Sequence, residues 1–239
     1  MTPVKPVLHA KIGLFLDFDG TLVDFAPTPA AVRVGPRLVA LLTQLTTRLR
    51  GSVALITGRS IESIDQLLRP LRLPVAGLHG LERRSSDGTL YRANTPAWIA
   101  ATRLALRKPV ERHPGLLLED KELALTVHYR QARQHERATR DLMTCMTADL
   151  AGAAQLQAGP ASLEIRPPGH GKGGAVAQFL REAPFCGREP VYIGDDATDL
   201  PAMRVAEAHR GSAIAVGPRI SAPLQFADPT ALLDWLQDL

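Results

Sequence analysis

KIGLFLDFDGTL, at residues 11–22, begins as a near-continuous apolar run and ends on two aspartates, a glycine and a threonine. An apolar run without polar alternation is the pattern of a strand buried on both faces, as in a parallel sheet covered by helices. In such sheets ligands sit beyond the carboxyl ends of the strands, which is where Asp17 and Asp19 fall. Period-two alternation puts both side chains on one side of the strand, and Gly20 lets the backbone turn sharply. Two carboxylates so placed suit a hard, oxygen-seeking cation such as Mg²⁺; equally, one can act as nucleophile and the other as acid–base partner. The competing reading is a pair of solvated loop aspartates.

The flanking sequence repeats the strand–helix alternation. Pro36 opens a helix with Leu38, Leu41, Leu42, Leu45 and Leu49 on one side. Residues 52–57 (SVALIT) form a second buried strand, Ser60 caps a helix carrying Ile61, Ile64, Leu67 and Leu68, and residues 75–78 form a third strand. Further strands are expected at 190–193 and 213–216, with a helix around 202–208 between them and a last helix near 231–236. This order predicts a Rossmann-like parallel sheet. The middle of the chain differs: a helix at 98–112, a hairpin at 116–129 turning at 120–122, a helix at 134–151 striped by Leu142, Met146 and Leu150, and a hairpin at 154–166 turning at Gly159 and Pro160. Turn-rich borders at 94–96 and 167–174 mark an insertion. We therefore expect a core domain of residues 1–96 and 170–239, interrupted by a smaller α/β cap at 97–169.

The chain has 239 residues, 45% hydrophobic and 22% charged, enough for a sizeable core. Its net charge of +4 comes from 23 scattered Arg and only five Lys, without the clustered basic face that nucleic acid requires. An anionic small molecule needs only a local positive pocket. Cys145 and Cys186 are far apart and read as reduced thiols, no apolar run reaches membrane-spanning length, and no targeting segment is visible, so a cytoplasmic protein is expected. Trp98 and Trp235 read as packing residues, and the arginines outside the motifs as a solvated surface. His9, His113, His135 and His209 receive no role.

Three more signals fall at strand ends or helix starts. Thr57-Gly58-Arg59 follows the second strand, where a hydroxyl and amides suit phosphate oxygens, although such a tripeptide is also an ordinary turn. Lys172 follows a Gly-rich loop and opens a helix; alone it reads equally as a solvated lysine. Gly194-Asp195-Asp196-Ala197-Thr198-Asp199 places three carboxylates straight after a buried strand.

Taken in order, these four segments resemble the motifs of the haloacid dehalogenase superfamily across the whole core. The resemblance implies that Asp17 is a nucleophile forming an aspartyl-phosphate and Asp19 the general acid and base. It gives Thr57 and Lys172 the transferring phosphoryl group, and assigns Mg²⁺ to Asp17, the Asp19 carbonyl and Asp195. Asp196 and Asp199 would support the metal waters and Lys172 from behind. An aspartate at the second position of the first motif favours phosphatase over dehalogenase-type chemistry.

Residues 118–130 (LEDKELALTVHYR) and 163–169 (LEIRPPG) of the cap, together with 77–82 (GLHGLE) of the core, resemble the trehalose-6-phosphate phosphatases. That resemblance implies a Mg²⁺-dependent phosphatase of a sugar phosphate, with Glu119, Lys121, Arg130 and Glu164 gripping the distal glucose. Gly58, Arg59 and His79 would contact substrate, His79 being equally readable as structural. One departure is that Leu200 follows Asp199 where the family usually has Glu. Rival readings are phosphatases of sucrose 6-phosphate or of mannosyl- or glucosyl-3-phosphoglycerate, a sugar phosphomutase, and a non-catalytic phosphosugar sensor. The sequence leaves the oligomeric state open and is compatible with a monomer.

Overall fold

The computed structural model describes residues 11–238; His9 lies outside them. The chain runs β1 (Ile12–Leu16), α1 (Pro36–Arg48), β2 (Val53–Ile56), α2 (Ile61–Leu67), β3 (Val75–Gly77), β4 (Glu82–Arg84) and β5 (Leu90–Arg92). Next come α3 (Ile99–Glu111), β6 (Leu117–Asp120), β7 (Leu125–His128), α4 (Glu136–Asp149), β8 (Gln155–Gly159) and β9 (Ser162–Arg166). It closes with α5 (Lys172–Phe179), β10 (Glu189–Gly194), α6 (Leu200–Ala208), β11 (Ser212–Val216), β12 (Leu224–Phe226) and α7 (Pro229–Gln237). The contacts divide it into two compact units, one of residues 27–29 and 93–170 and the other of the remainder.

The larger unit holds an eight-stranded sheet in the order β12-β11-β10-β1-β2-β3-β4-β5. The six strands from β12 to β3 are parallel, and β3-β4-β5 are antiparallel. β1 is buried at all five positions because helices cover both faces of the sheet. Leu38, Leu41, Leu42 and Leu45 of α1 are buried at the spacing of one helical face, each worth roughly 1.5–3 kcal/mol. Their cluster includes Leu14, Leu16, Val53, Leu55 and Ile193 from the sheet. Phe15, Ile56 and Tyr192 alternate to the other face and pack with Val176, Phe179 and Phe185.

β4, β5 and β12 were not expected from the sequence, so the sheet is wider than predicted and not wholly parallel. β4 reads Glu-Arg-Arg, and its arginines are far from the solvated surface predicted for them. Arg83 (6% exposed) is paired bidentately with Glu182, and Arg84 (8%) with Asp65. Charge pairing does there what apolar contact does elsewhere.

The smaller unit is a four-stranded antiparallel sheet, β6-β7-β9-β8, with α3 and α4 packed through a core of its own. On α4 the fully buried position is Met143, with Thr139 one turn earlier; Leu142, Met146 and Leu150 flank it half-buried, so the apolar stripe is centred one residue from the expected place. Trp98 donates its indole N–H to the Ala153 carbonyl, and Trp235 packs against Phe226.

Candidate active site

The parallel ladder carries β1 and β10 to a common end, where the Asp17 amide donates to the Ile193 carbonyl. Asp17 (4% exposed) accepts a hydrogen bond from Thr21 Oγ1 at 3.1 Å on Oδ2 and from Lys172 Nζ at 2.7 Å on Oδ1. Lys172, the first residue of α5, is itself 4% exposed and gives a second 2.7 Å bond to Asp199 Oδ1. It is therefore a buried cation shared by two carboxylates.

Asp199 is saturated. Oδ1 accepts from Lys172 and from the Tyr192 hydroxyl at 2.6 Å, and Oδ2 from the amides of Asp195 and Asp196 at 3.1 Å each. Asp196 turns to its own loop, accepting from the Thr198 amide and hydroxyl. Asp195 accepts from Arg219 Nη1 at 2.5 Å on Oδ2.

Burial pushes the Asp17 carboxyl well above its usual range, with Lys172 opposing and Asp199 and Asp195 adding to the rise. Burial also pushes Asp195 up to about 7, reinforced by Asp199 and Asp196 and opposed by Lys172 and Arg219. Burial alone would lower the Lys172 pKa, but the Asp17 and Asp199 charges outweigh it and the group is held well above its usual value.

The second and third strands supply the adjoining loops. Thr57 (1% exposed) accepts the Arg59 amide on Oγ1. The Arg59 side chain is turned to Asp19 in a bidentate pair, Nε to Oδ2 at 2.7 Å and Nη2 to Oδ1 at 2.8 Å. Ser60 caps α2 through the Ser63 amide, and Glu82 of β4 takes the Ile61 amide at 2.6 Å. His79 lies in a run of three left-handed residues, Leu78 (φ +49°), His79 (φ +54°) and Gly80 (φ +94°). Such backbone costs of order 1–3 kcal/mol per non-glycine residue and is held only where the surroundings impose it. Here Leu78 N–H donates to the Arg59 carbonyl and His79 N–H to the Thr57 carbonyl. The imidazole lies so close to Gly58 that a Cβ there would fall 2.6 Å from Nε2. Asp17, Asp19, Thr57, Gly58, Arg59, His79, Lys172, Asp195, Asp196 and Asp199 are thus linked, directly or through one neighbour, in the larger unit.

In the smaller unit, strand register lines Glu119, Thr126, Glu164 and Gln157 across the sheet in one row. Lys121 Nζ donates to Glu164 Oε2 at 2.7 Å and lies 3.9 Å from Glu119 Oε2; Thr126 donates to the same Glu164 oxygen at 2.7 Å. His128 Nε2 is 2.7 Å from Glu119 Oε2. Burial pushes Glu119 up, but the His128 hydrogen bond and Lys121 outweigh it and hold the carboxyl below its usual value. For Lys121 burial works downward and is outweighed by Glu164 and Glu119, so the ammonium is stabilised. The expected quartet is thus a trio with contacts among its members, while Arg130 sits past the other end of β7 and donates to the Pro160 carbonyl at 3.0 Å. Arg166, fully buried, donates to Gln157 Oε1 at 2.8 Å.

Residues 15–222 match the family described as Trehalose-phosphatase. The chain belongs to that family. It is 39% identical over 234 residues to a trehalose-6-phosphate phosphatase of Escherichia coli K12, covering 97% of this chain and 88% of the relative. A Sinorhizobium fredii protein named "Probable trehalose-phosphate phosphatase" is 41% identical over 209 residues, 87% of this chain and 79% of that one. A solved trehalose-6-phosphate phosphatase related protein superposes with a TM-score of 0.81 at 26% identity, over 94% of this chain and 95% of the other. The fold is that of the haloacid dehalogenase phosphatases, an α/β core with an α/β cap.

Members of that superfamily invite a test of these residues against a metal. Among the described residues, Asp17, Asp195 and Asp199 bring carboxylate oxygens within 4.8 Å of one another. Asp199 already has two donors on each oxygen, whereas Asp17 has one on each and Asp195 only Arg219 on Oδ2, so Asp17 and Asp195 keep lone pairs for a cation. An all-oxygen, buried set whose two members are pushed toward protonation suits a hard divalent cation, which would favour their ionised forms. A Cβ on Gly20 (φ +90°) would collide with Asp195 and Phe25, so only glycine leaves this arrangement intact. Sequence reasoning missed Thr21, Tyr192, Thr126, His128 and Arg219. Thr21 and His128 lie inside motifs already noticed; Tyr192 and Arg219 carry no local signal.

Proposed function

We propose that this trehalose-phosphatase family member is a phosphoric monoester hydrolase releasing trehalose and phosphate from trehalose 6-phosphate. The observation that carries the reading is Asp17: a buried carboxylate at the carboxyl end of the central strand, held by Thr21 and Lys172. Asp17 attacks phosphorus and forms the aspartyl-phosphate, while Asp19 protonates the leaving sugar oxygen and then takes a proton from the hydrolytic water. Lys172 and Thr57 hold the phosphoryl oxygens, since positioning and charge are most of the catalysis in this chemistry. Asp17, Asp195 and the Asp19 carbonyl would hold Mg²⁺, which would supply charge neutralisation between nucleophile and substrate. Asp199 keeps Lys172 in place, and Asp196 braces the 194–199 loop.

Because the Arg59 guanidinium is engaged by Asp19, we assign it to orienting that residue; Gly58 and His79 remain the substrate contacts of this loop. Residues 97–169 act as the lid that sets specificity, with Glu119, Lys121, Glu164 and Arg130 as its sugar-binding groups. Two exposed free thiols accord with a cytoplasmic enzyme, and no helix among the described residues is long and apolar enough to cross a membrane.

The test is phosphate release from trehalose 6-phosphate, sucrose 6-phosphate and glucose 6-phosphate, with and without Mg²⁺. Release from the trehalose ester alone, dependent on Mg²⁺ and lost in Asp17→Asn, is expected. Lys121→Ala should raise KM for trehalose 6-phosphate far more than for a small aryl phosphate. Equal losses on both substrates would remove the lid assignment; release only from another ester would replace the substrate.

A further inference from the structure

Arg219 follows β11, the parallel neighbour of β10 in the sheet, so its loop leaves the same carboxyl end of the sheet that carries Asp195. The turn is stiff. Gly217 is left-handed (φ +69°) with its amide bonded to the Phe226 carbonyl, and its own carbonyl accepts from Gln225 Nε2 at 2.6 Å. Pro218 then fixes the backbone immediately before Arg219. The guanidinium lies against Phe25, 4.4 Å from the ring centroid, and Nη1 donates to Asp195 Oδ2. An aromatic ring and a carboxylate both restrain the guanidinium, although the side chain is 42% exposed.

The division of labour on the Asp195 carboxylate is the informative part. Oδ2 is anchored by Arg219, whereas among the described residues no hydrogen-bond donor reaches Oδ1. A carboxylate that binds a cation through one oxygen needs the other held, or it rotates away; such outer partners commonly change metal affinity 10–100-fold. We propose that Arg219, braced by Phe25, is the positioning residue that holds Asp195 ready to bind the divalent cation through Oδ1. The inference rests on the reading of Asp195 as a metal ligand.

The opposite role is physically reasonable, since a second cation on the same carboxylate could compete with the metal. Calorimetric titration of chelator-treated full-length protein with Mg²⁺ separates the two. Arg219→Met should weaken Mg²⁺ binding by about tenfold or more. Arg219→Lys, which keeps the charge, should recover part of it, and Phe25→Leu should give a smaller loss. Unchanged or tighter binding in Arg219→Met overturns the proposal, the tighter result marking Arg219 as a competitor. Asp195→Asn is the reference: full Mg²⁺ binding there would mean that the ligand reading itself fails. Thermal melts in chelator verify that each variant is folded; should Arg219→Met not fold, Arg219→Lys and Phe25→Leu must both bind more weakly than wild type for the proposal to stand.

Discussion

A carboxylate offers about four lone-pair sites, and Asp199 has a donor at each: Lys172, Tyr192 and the amides of Asp195 and Asp196. Asp199→Asn would set an amide against these donors and leave Lys172 with half of its counter-charge. Breaking a buried ion pair costs on the order of 3–5 kcal/mol, and the melting temperature should drop accordingly. Asp196→Asn, whose side-chain hydrogen bonds go to the half-buried Thr198, should cost about 1 kcal/mol or less. Equal losses would mean that the hub is not where the hydrogen bonds put it. Asp195 adds a pH effect. Its folded pKa of about 7 lies above the ordinary aspartate value of 3.8, so its stabilisation is complete only below the unfolded pKa and is lost as pH rises through about 7. Across that window each step of one in pH costs at most about 1.4 kcal/mol. In chelator, Asp195→Asn should therefore improve on wild type more at pH 8 than at pH 5, and Mg²⁺ should erase the advantage. An advantage independent of pH would contradict the assignment.

At the level of strands and helices, the row Glu119–Thr126–Glu164–Gln157 shows how antiparallel register assembles a polar face from residues up to 45 positions apart. Glu164 is 5% exposed and relies on the Thr126 hydroxyl and Lys121. Thr126→Val, nearly isosteric, removes one of these donors and should cost about 1–3 kcal/mol in thermal or denaturant melts; a neutral result would mean that Glu164 Oε2 does not need the Thr126 hydroxyl. The same reasoning marks what the sequence could reveal. β1, β2, α1 and the cap hairpins announce themselves through apolar runs, leucine spacing and turn residues, all local. β4 could not, because Arg83 and Arg84 look solvated until Glu182 and Asp65, 99 and 19 residues away, arrive beside them. The aspartates, Thr57 and Lys172 were legible as motifs at strand ends. Arg219 was one arginine among 23, and its partner is 24 residues distant. Arg59 was noticed, but that it would reach back to Asp19 was not written in its own loop.

Over the whole molecule, each compact unit has a hydrophobic cluster of its own, with Ile99, Leu106, Val127, Met143 and Ile165 forming that of the insertion. Residues 93–170 expressed alone should melt cooperatively, and Mg²⁺ should leave that transition unmoved because Asp17 and Asp195 belong to the other unit. A non-cooperative melt would show that the insertion depends on the core for its fold. The eight-stranded sheet ends at β5, a three-residue strand with Leu90 66% and Tyr91 50% exposed. An open strand edge with apolar side chains is a template for aggregation, which proteins blunt by brevity and by charge. β5 uses both: it is too short to seed a ladder, Arg83 stacks on Tyr91, and half-exposed Arg92 stands 3.7 Å from Glu82 at the end of the strand. Brevity and the exposed guanidinium of Arg92 thus give this margin both of the features by which sheet edges resist pairing with a second copy in a crowded solution.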